Sequence, residues 1–118
     1  MQVYGLGYAL ASSLGDASRL RDWMLDLAEA MGMTIVNGPT IHSFREPGQP
    51  AAGLSGFCII AESHIAIHTW PESRWFYLHI GSCVGFDAAA AKVLTDHCLG
   101  VTEWKAWRLD PTPIEPPP

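Results

Sequence analysis

The sequence predicts an α+β domain: a two-layer sandwich in which a mostly antiparallel sheet carries two helices on one face. Three observations predict it. Short runs that alternate or are continuously apolar recur between turn signals, as strands do. Helical spacing is confined to two segments, about residues 17–31 and 87–99. The resulting order, β-α-β-β-β-β-β-α-β, places strands in unbroken succession through the middle of the chain, which is an α+β arrangement.

Residues 3–11 alternate, with Tyr4, Leu6, Tyr8 and Leu10 on one face of a strand and Gly5 and Gly7 on the other. Gly15 and Asp16 interrupt it. Leu20, Trp23, Met24, Leu27, Ala30 and Met31 then recur as a helical core stripe, capped by Asp16 or Ser18 and closed by Gly32. Met33–Val36 reads as a short strand, Asn37-Gly38-Pro39 as a turn, and Thr40–Phe44 as the returning strand. Residues 45–53, rich in proline and glycine, form a loop. Leu54–Ala61 is an apolar run of strand length and His64–His68 alternates. Trp70–Ser73 turns, because proline cannot donate to a ladder, and Trp75–Ile80 is an aromatic strand. Asp87 opens an alanine-rich helix to about Leu99, with Leu94, Cys98 and the alanines inward. Gly100 ends it, and Val101–Leu109 is the last strand. Residues 1–109 make one domain. Asp110–Pro118 holds five of the nine prolines and is expected to be an extended or disordered tail.

A chain of 118 residues supports one core and has no room for separate cofactor and substrate domains. Apolar residues make up 48% and charged residues only 16%, which argues against disorder and for a buried oligomer interface. The aromatic residues point to a covered outer sheet face, by a second copy of the chain. A net charge of −5 argues against a nucleic-acid footprint and a polybasic membrane anchor. No segment approaches the ~20 apolar residues that span a bilayer, and the N-terminus lacks the basic start of a signal peptide, so a cytoplasmic protein is expected. Cys58, Cys83 and Cys98 are odd in number and form no CxxC, so neither a disulfide framework nor a cysteine metal site is expected.

One stretch concentrates reactive groups: Glu62-Ser63-His64-Ile65-Ala66-Ile67-His68-Thr69-Trp70-Pro71-Glu72. A hydroxyl, two imidazoles and two carboxylates interrupt an apolar strand run, and burying such groups unpaired costs about 1–3 kcal/mol each. His64 and His68 have the four-residue spacing of a helical zinc pair. On a strand, however, they lie about 13 Å apart, too far for one ion, and no metal is predicted. Ser63 and His64 are strand neighbours on opposite faces, and no G-x-S-x-G elbow is present, so a serine hydrolase is not supported.

Glu62-Ser63-His64 with His68-Thr69-Trp70-Pro71-Glu72 resembles the processing site of prokaryotic S-adenosylmethionine decarboxylase proenzymes. Gly53-Leu54-Ser55-Gly56 lies upstream where that family has a similar Gly-x-Ser-Gly, and Cys83 lies downstream where it has a cysteine. The close match covers about residues 53–83. The resemblance implies that Ser63 attacks the Glu62 carbonyl, that the chain is cut between 62 and 63, and that Ser63 becomes a pyruvoyl group. That group forms a Schiff base with the substrate amine and accepts the electrons released with carbon dioxide. It further implies that His68 takes part in processing with Glu62 and Ser55, that Cys83 is the proton donor, and that Glu72, Phe44 and Ile65 bind substrate. The implied partners are a small-molecule substrate and a second copy, in a homodimer of processed αβ units. The implied product is decarboxylated S-adenosylmethionine for spermidine synthesis. The chain departs from the family pattern at His79, usually acidic, at Gly81, usually aromatic, at Ala11-Ser12-Ser13, which lacks an acidic residue, and in its long 45–53 loop. These positions bear on the substrate pocket. Decarboxylation of L-ornithine or L-arginine on the same scaffold is therefore the alternative, and a catalytically silent regulatory homologue is a third.

Overall fold

The structure, a computed structural model, describes residues 1–109. The predicted tail, 110–118, lies outside the described residues. In chain order the elements are β1 (Gln2–Ala9), α1 (Ala11–Leu14), α2 (Ala17–Ala30), β2 (Thr34–Phe44), β3 (Gly53–Ala61), β4 (Ser63–Trp70), a 3-10 turn (Pro71–Ser73), β5 (Trp75–Ser82), α3 (Ala88–Leu99) and β6 (Val101–Leu109). The strands form one sheet in the order β2-β3-β4-β5-β1-β6, with every neighbouring pair antiparallel. The predicted α+β sandwich is the fold found, with one short helix, α1, added to the two expected.

Alternate strand residues enter one core. Cys58, Ile60, Ile65, Ile67, Phe76, Leu78 and Ile80 are buried against Leu20, Trp23, Met24 and Leu27 of α2 and Ala91 and Leu99 of α3. The opposite face of the sheet carries Tyr4, Phe57, His64, His68, Tyr77 and His79, none of them buried. In β1 the small residues face the core. A side chain at Gly5 would come within 2.9 Å of Leu78 and Trp104, and one at Gly7 within 2.5 Å of the Glu103 carbonyl. The glycines that weaken β1 as a strand by propensity thus make room for the large side chains of β5 and β6.

Two expectations need correction. The two strands foreseen around a turn at Asn37-Gly38-Pro39 are a single strand, β2, with register shifts between Ile35 and Asn37 and between Asn37 and Thr40. β2 is an edge strand, where a proline costs no obligatory ladder bond, and the bulge absorbs the extra residues. Gly38 has φ +93°, and a Cβ there would sit 2.9 Å from the Phe57 carbonyl, so glycine is required at that kink. In the helices, Ala28 rather than Ala30 completes the α2 core face, and α3 turns Ala88 and Ala91 inward while Ala89 and Ala90 are exposed. The caps follow expectation. Asp16 accepts from the Arg19 N–H at 3.2 Å, Asp87 from the Ala90 N–H at 3.0 Å, and Gly100 ends α3 in the left-handed region.

Trp23 is the keystone of the helix layer. It is fully buried, and its Nε1 donates to Thr95 Oγ1 at 2.9 Å, whose hydroxyl donates to the Ala91 carbonyl at 2.8 Å. Trp23→Ala is expected to destabilise the fold by about 3–5 kcal/mol, read by urea unfolding. A loss below about 1 kcal/mol would contradict this packing role.

The topology interleaves the two halves of the chain. β1 lies between β5 and β6, and β4 pairs with β3 on its other side. Any break between β3 and β4 would leave each half contributing three strands to the same sheet.

Candidate active site

β3 and β4 are joined by a single residue, Glu62, with Ile60 opposite Ser63 in the ladder. This tight link turns Ser63 back on its own predecessor, so the Ser63 hydroxyl bonds the Glu62 carbonyl. On the other side of β4, Ser63 is paired with Ser82 of β5, which brings the next residue, Cys83, alongside. The Cys83 N–H donates to Ser63 Oγ at 3.0 Å. Glu62, Ser63 and Cys83 therefore meet at one end of the strands. They open onto a cleft of about 360 Å³ whose walls include Gln2, His64 and His79. Cys83 is exposed, whereas burial pushes the thiols of Cys58 and Cys98 up, with Asp26 adding to the effect at Cys98. Of the three cysteines, Cys83 is the one that lines this cleft.

Ser55 and His68 form a second group. They face each other across β3 and β4, and Ser55 Oγ lies 2.9 Å from His68 Nδ1 on the outer sheet face, where His68 stacks on Tyr77. His68 is five residues from Ser63 along an extended strand, about 16 Å, so a single chain does not bring this pair to Ser63.

Glu72 and Phe44 form a third group at the far end. Glu72 is exposed on the 3-10 turn and lines a small cavity with Gln49–Gly53 and Trp70, and Phe44, 62% exposed, lies opposite Gly53 at the end of β2. The length of β4, about 23 Å, separates them from Ser63. Ile65 is fully buried in the core layer, so its side chain faces the helices and not the cleft.

The sequence reading left His64 and Gln2 without a role and His79 without a partner. Their signal lies in register: His64 is opposite Gly81 and His79 opposite Ala66, so the two imidazoles meet diagonally, with His64 Nε2 and His79 Nδ1 2.9 Å apart. Burial, and then the adjacent His64, hold the His79 imidazole below the ordinary histidine range.

A hydroxyl held on the carbonyl that precedes it, a backbone donor on that hydroxyl, and open space beside it are what conversion of Ser63 to a carbonyl group requires. The residues present fit such a group. The geometry suits attack of Oγ on the Glu62 carbonyl, which moves the acyl group from nitrogen to oxygen.

Residues 3–110 match the family model for S-adenosylmethionine decarboxylase. The chain is similar to the S-adenosylmethionine decarboxylase proenzyme of Acidithiobacillus ferrooxidans, 40% identical over 72 residues, which cover 61% of this chain and 50% of that protein. The corresponding proenzyme of Parasynechococcus marenigrum is 41% identical over 70 residues, 59% of this chain and 50% of that one. It is also similar to the arginine decarboxylase proenzyme of Pyrobaculum arsenaticum, 34% identical over 82 residues, 69% of this chain and 59% of that one. The chain thus spans about half the length of the curated relatives it matches. Its fold is shared with the crystal structure of adenosylmethionine decarboxylase from Aquifex aeolicus, with a TM-score of 0.70 at 18% identity over 99% of this chain and 94% of that one. With a family match from the first strand to the last, the chain belongs to the S-adenosylmethionine decarboxylase family.

Proposed function

We propose that the chain is a self-processing, pyruvoyl-dependent decarboxylase that acts on S-adenosylmethionine. The observation that carries the reading is the Ser63 hydroxyl on the Glu62 carbonyl, with the Cys83 N–H on the same oxygen. Attack by Ser63 Oγ breaks the 62–63 peptide bond and forms an ester. Removal of the Ser63 α-proton expels the Glu62 carboxylate, and addition of water with loss of ammonia leaves a ketone at position 63. That ketone supplies an electron sink for decarboxylation of an α-amino acid. Cys83, exposed at the cleft, is the proton donor in this account. Cys83→Ala is expected to cleave at least in part but to decarboxylate poorly, by about 10²-fold or more in kcat. Normal turnover by that variant would remove Cys83 from the role.

The processing pair Ser55–His68 and the substrate contacts Glu72 and Phe44 reach Ser63 from a second copy. The outer sheet face supports this, since Phe57 and Ile59 of β3 and Trp70 of β4 are exposed on the face that also carries Tyr77 of β5 and Tyr4 of β1. Two copies packed through that face with their strands opposed would lay the Glu72 end of one against the Ser63 end of the other. The working unit is then a homodimer of cleaved chains, and a biosynthetic role in polyamine formation places it in the cytoplasm. Among the described residues no helix is long and apolar enough to cross a membrane. Because β1 is held between β5 and β6, the pieces 1–62 and 63–118 are expected to co-elute on native gel filtration and to separate only in denaturant. Native separation would contradict the interleaving.

A second reading, decarboxylation of L-arginine or L-ornithine, is favoured by the cleft wall, where His79 and Gly81 stand in place of an acidic and an aromatic residue. Release of carbon dioxide from the three carboxyl-labelled substrates decides. Turnover of S-adenosylmethionine alone supports the first reading, and turnover of arginine or ornithine alone overturns it in favour of the second.

A further inference from the structure

The cleft wall beside Ser63 contains a hydrogen-bonded row that the proposed chemistry leaves without a role. His64 Nε2 is 2.9 Å from His79 Nδ1, His79 Nε2 is 3.2 Å from Gln2 Oε1, and the Tyr4 hydroxyl donates to that same oxygen at 2.8 Å. A carboxamide oxygen only accepts, so His79 Nε2 carries a proton. Neutral His79 then accepts at Nδ1, His64 Nε2 donates, and the free lone pair of the row lies on His64 Nδ1. That nitrogen has no hydrogen-bond partner among the described residues. Burial, and then the adjacent His64, lower the proton affinity of His79, which favours its neutral form.

The pose of His64 depends on what surrounds it. Phe57 stacks on its ring at 5.8 Å, and Tyr4 stacks on His79 at 4.5 Å. Gly81 lies directly opposite in the ladder, and a Cβ there would come within 2.9 Å of His64 Cε1 and 3.1 Å of Nε2. Even alanine at 81 would crowd the ring and force it to shift against His79. Residues 64, 79 and 81 are thus one interdependent unit.

An α-amino acid that reacts at position 63 brings its nitrogen into this cleft as an ammonium, an N–H donor. An imidazolium wall would repel it, and a lone pair would receive it. We propose that His64 is a substrate-contacting residue whose Nδ1 accepts a hydrogen bond from the α-ammonium group of the amino-acid substrate, with His79, Gln2 and the bare backbone of Gly81 as positioning residues. The inference rests on the decarboxylase reading, which is what brings an amino acid to Ser63.

The test combines nitrogen NMR of the imidazoles with steady-state kinetics on whichever of S-adenosylmethionine, L-arginine and L-ornithine is turned over. In the wild-type protein, His64 is expected as the Nε2–H tautomer. His79→Phe keeps a ring against Tyr4 but offers no nitrogen, and Gly81→Ala displaces His64. Both are expected to mix the His64 tautomers and to raise KM about tenfold or more, with cleavage at 62–63 intact. His79→Gln can accept from His64 and donate to Gln2, and is expected to recover most of the lost affinity. A wild-type His64 with its proton on Nδ1, or an unchanged KM in both Gly81→Ala and His79→Phe, would overturn the inference. Failure of the decarboxylase reading shows separately, as a wild-type chain of undivided mass.

Discussion

Ser63→Ala is expected to leave the chain whole and to abolish carbon dioxide release altogether. Alanine lacks the oxygen that bonds the Glu62 carbonyl, so no ester can form and no carbonyl can arise at 63. The fold should survive. The hydroxyl lost bonds one backbone N–H, that of the exposed Cys83, and losing such a bond where water can replace it costs about 0.5–1.5 kcal/mol. An uncleaved chain with a near-native unfolding midpoint would therefore assign the loss to chemistry. Cleavage before position 63 in this variant would contradict the mechanism.

Co-expression of Ser63→Ala and His68→Ala chains is expected to restore cleavage that neither shows alone. The geometry demands it if His68 acts on Ser63, because about 16 Å of strand separates the two within one chain. Alone, His68→Ala loses a general acid–base group, a loss of about 10²–10⁴-fold in rate. In a mixed dimer the His68→Ala chain keeps its serine and faces an intact His68 on its partner. Distinguishable tags would show cleavage confined to the His68→Ala chain. If the mixture remains uncleaved while dimers form, His68 does not act across the interface.

The layers and caps of the fold were legible in the sequence because they are local. Asp16, Asp87 and Gly100 act within one helical turn, and the apolar strand positions announce themselves by alternation. β2 was not legible, because Asn37-Gly38-Pro39 is turn chemistry by composition, and only its place at the sheet edge lets the strand continue through it. The same division runs through the site. Glu62 and Ser63 are neighbours in the chain, so their chemistry can be read from a motif. The contact with Cys83 and the diagonal meeting of His64 with His79 depend on the register of β4 against β5, which no local pattern encodes. Ile65 illustrates the converse: a residue inside the motif whose strand parity sends its side chain into the core.

The mass of the denatured wild-type protein tests the central claim most directly. The account predicts two pieces, residues 1–62 and 63–118, with the second blocked at its N-terminus by a carbonyl group that hydroxylamine traps. A single undivided chain that still releases carbon dioxide, or a second piece beginning with a free serine amine, would contradict it.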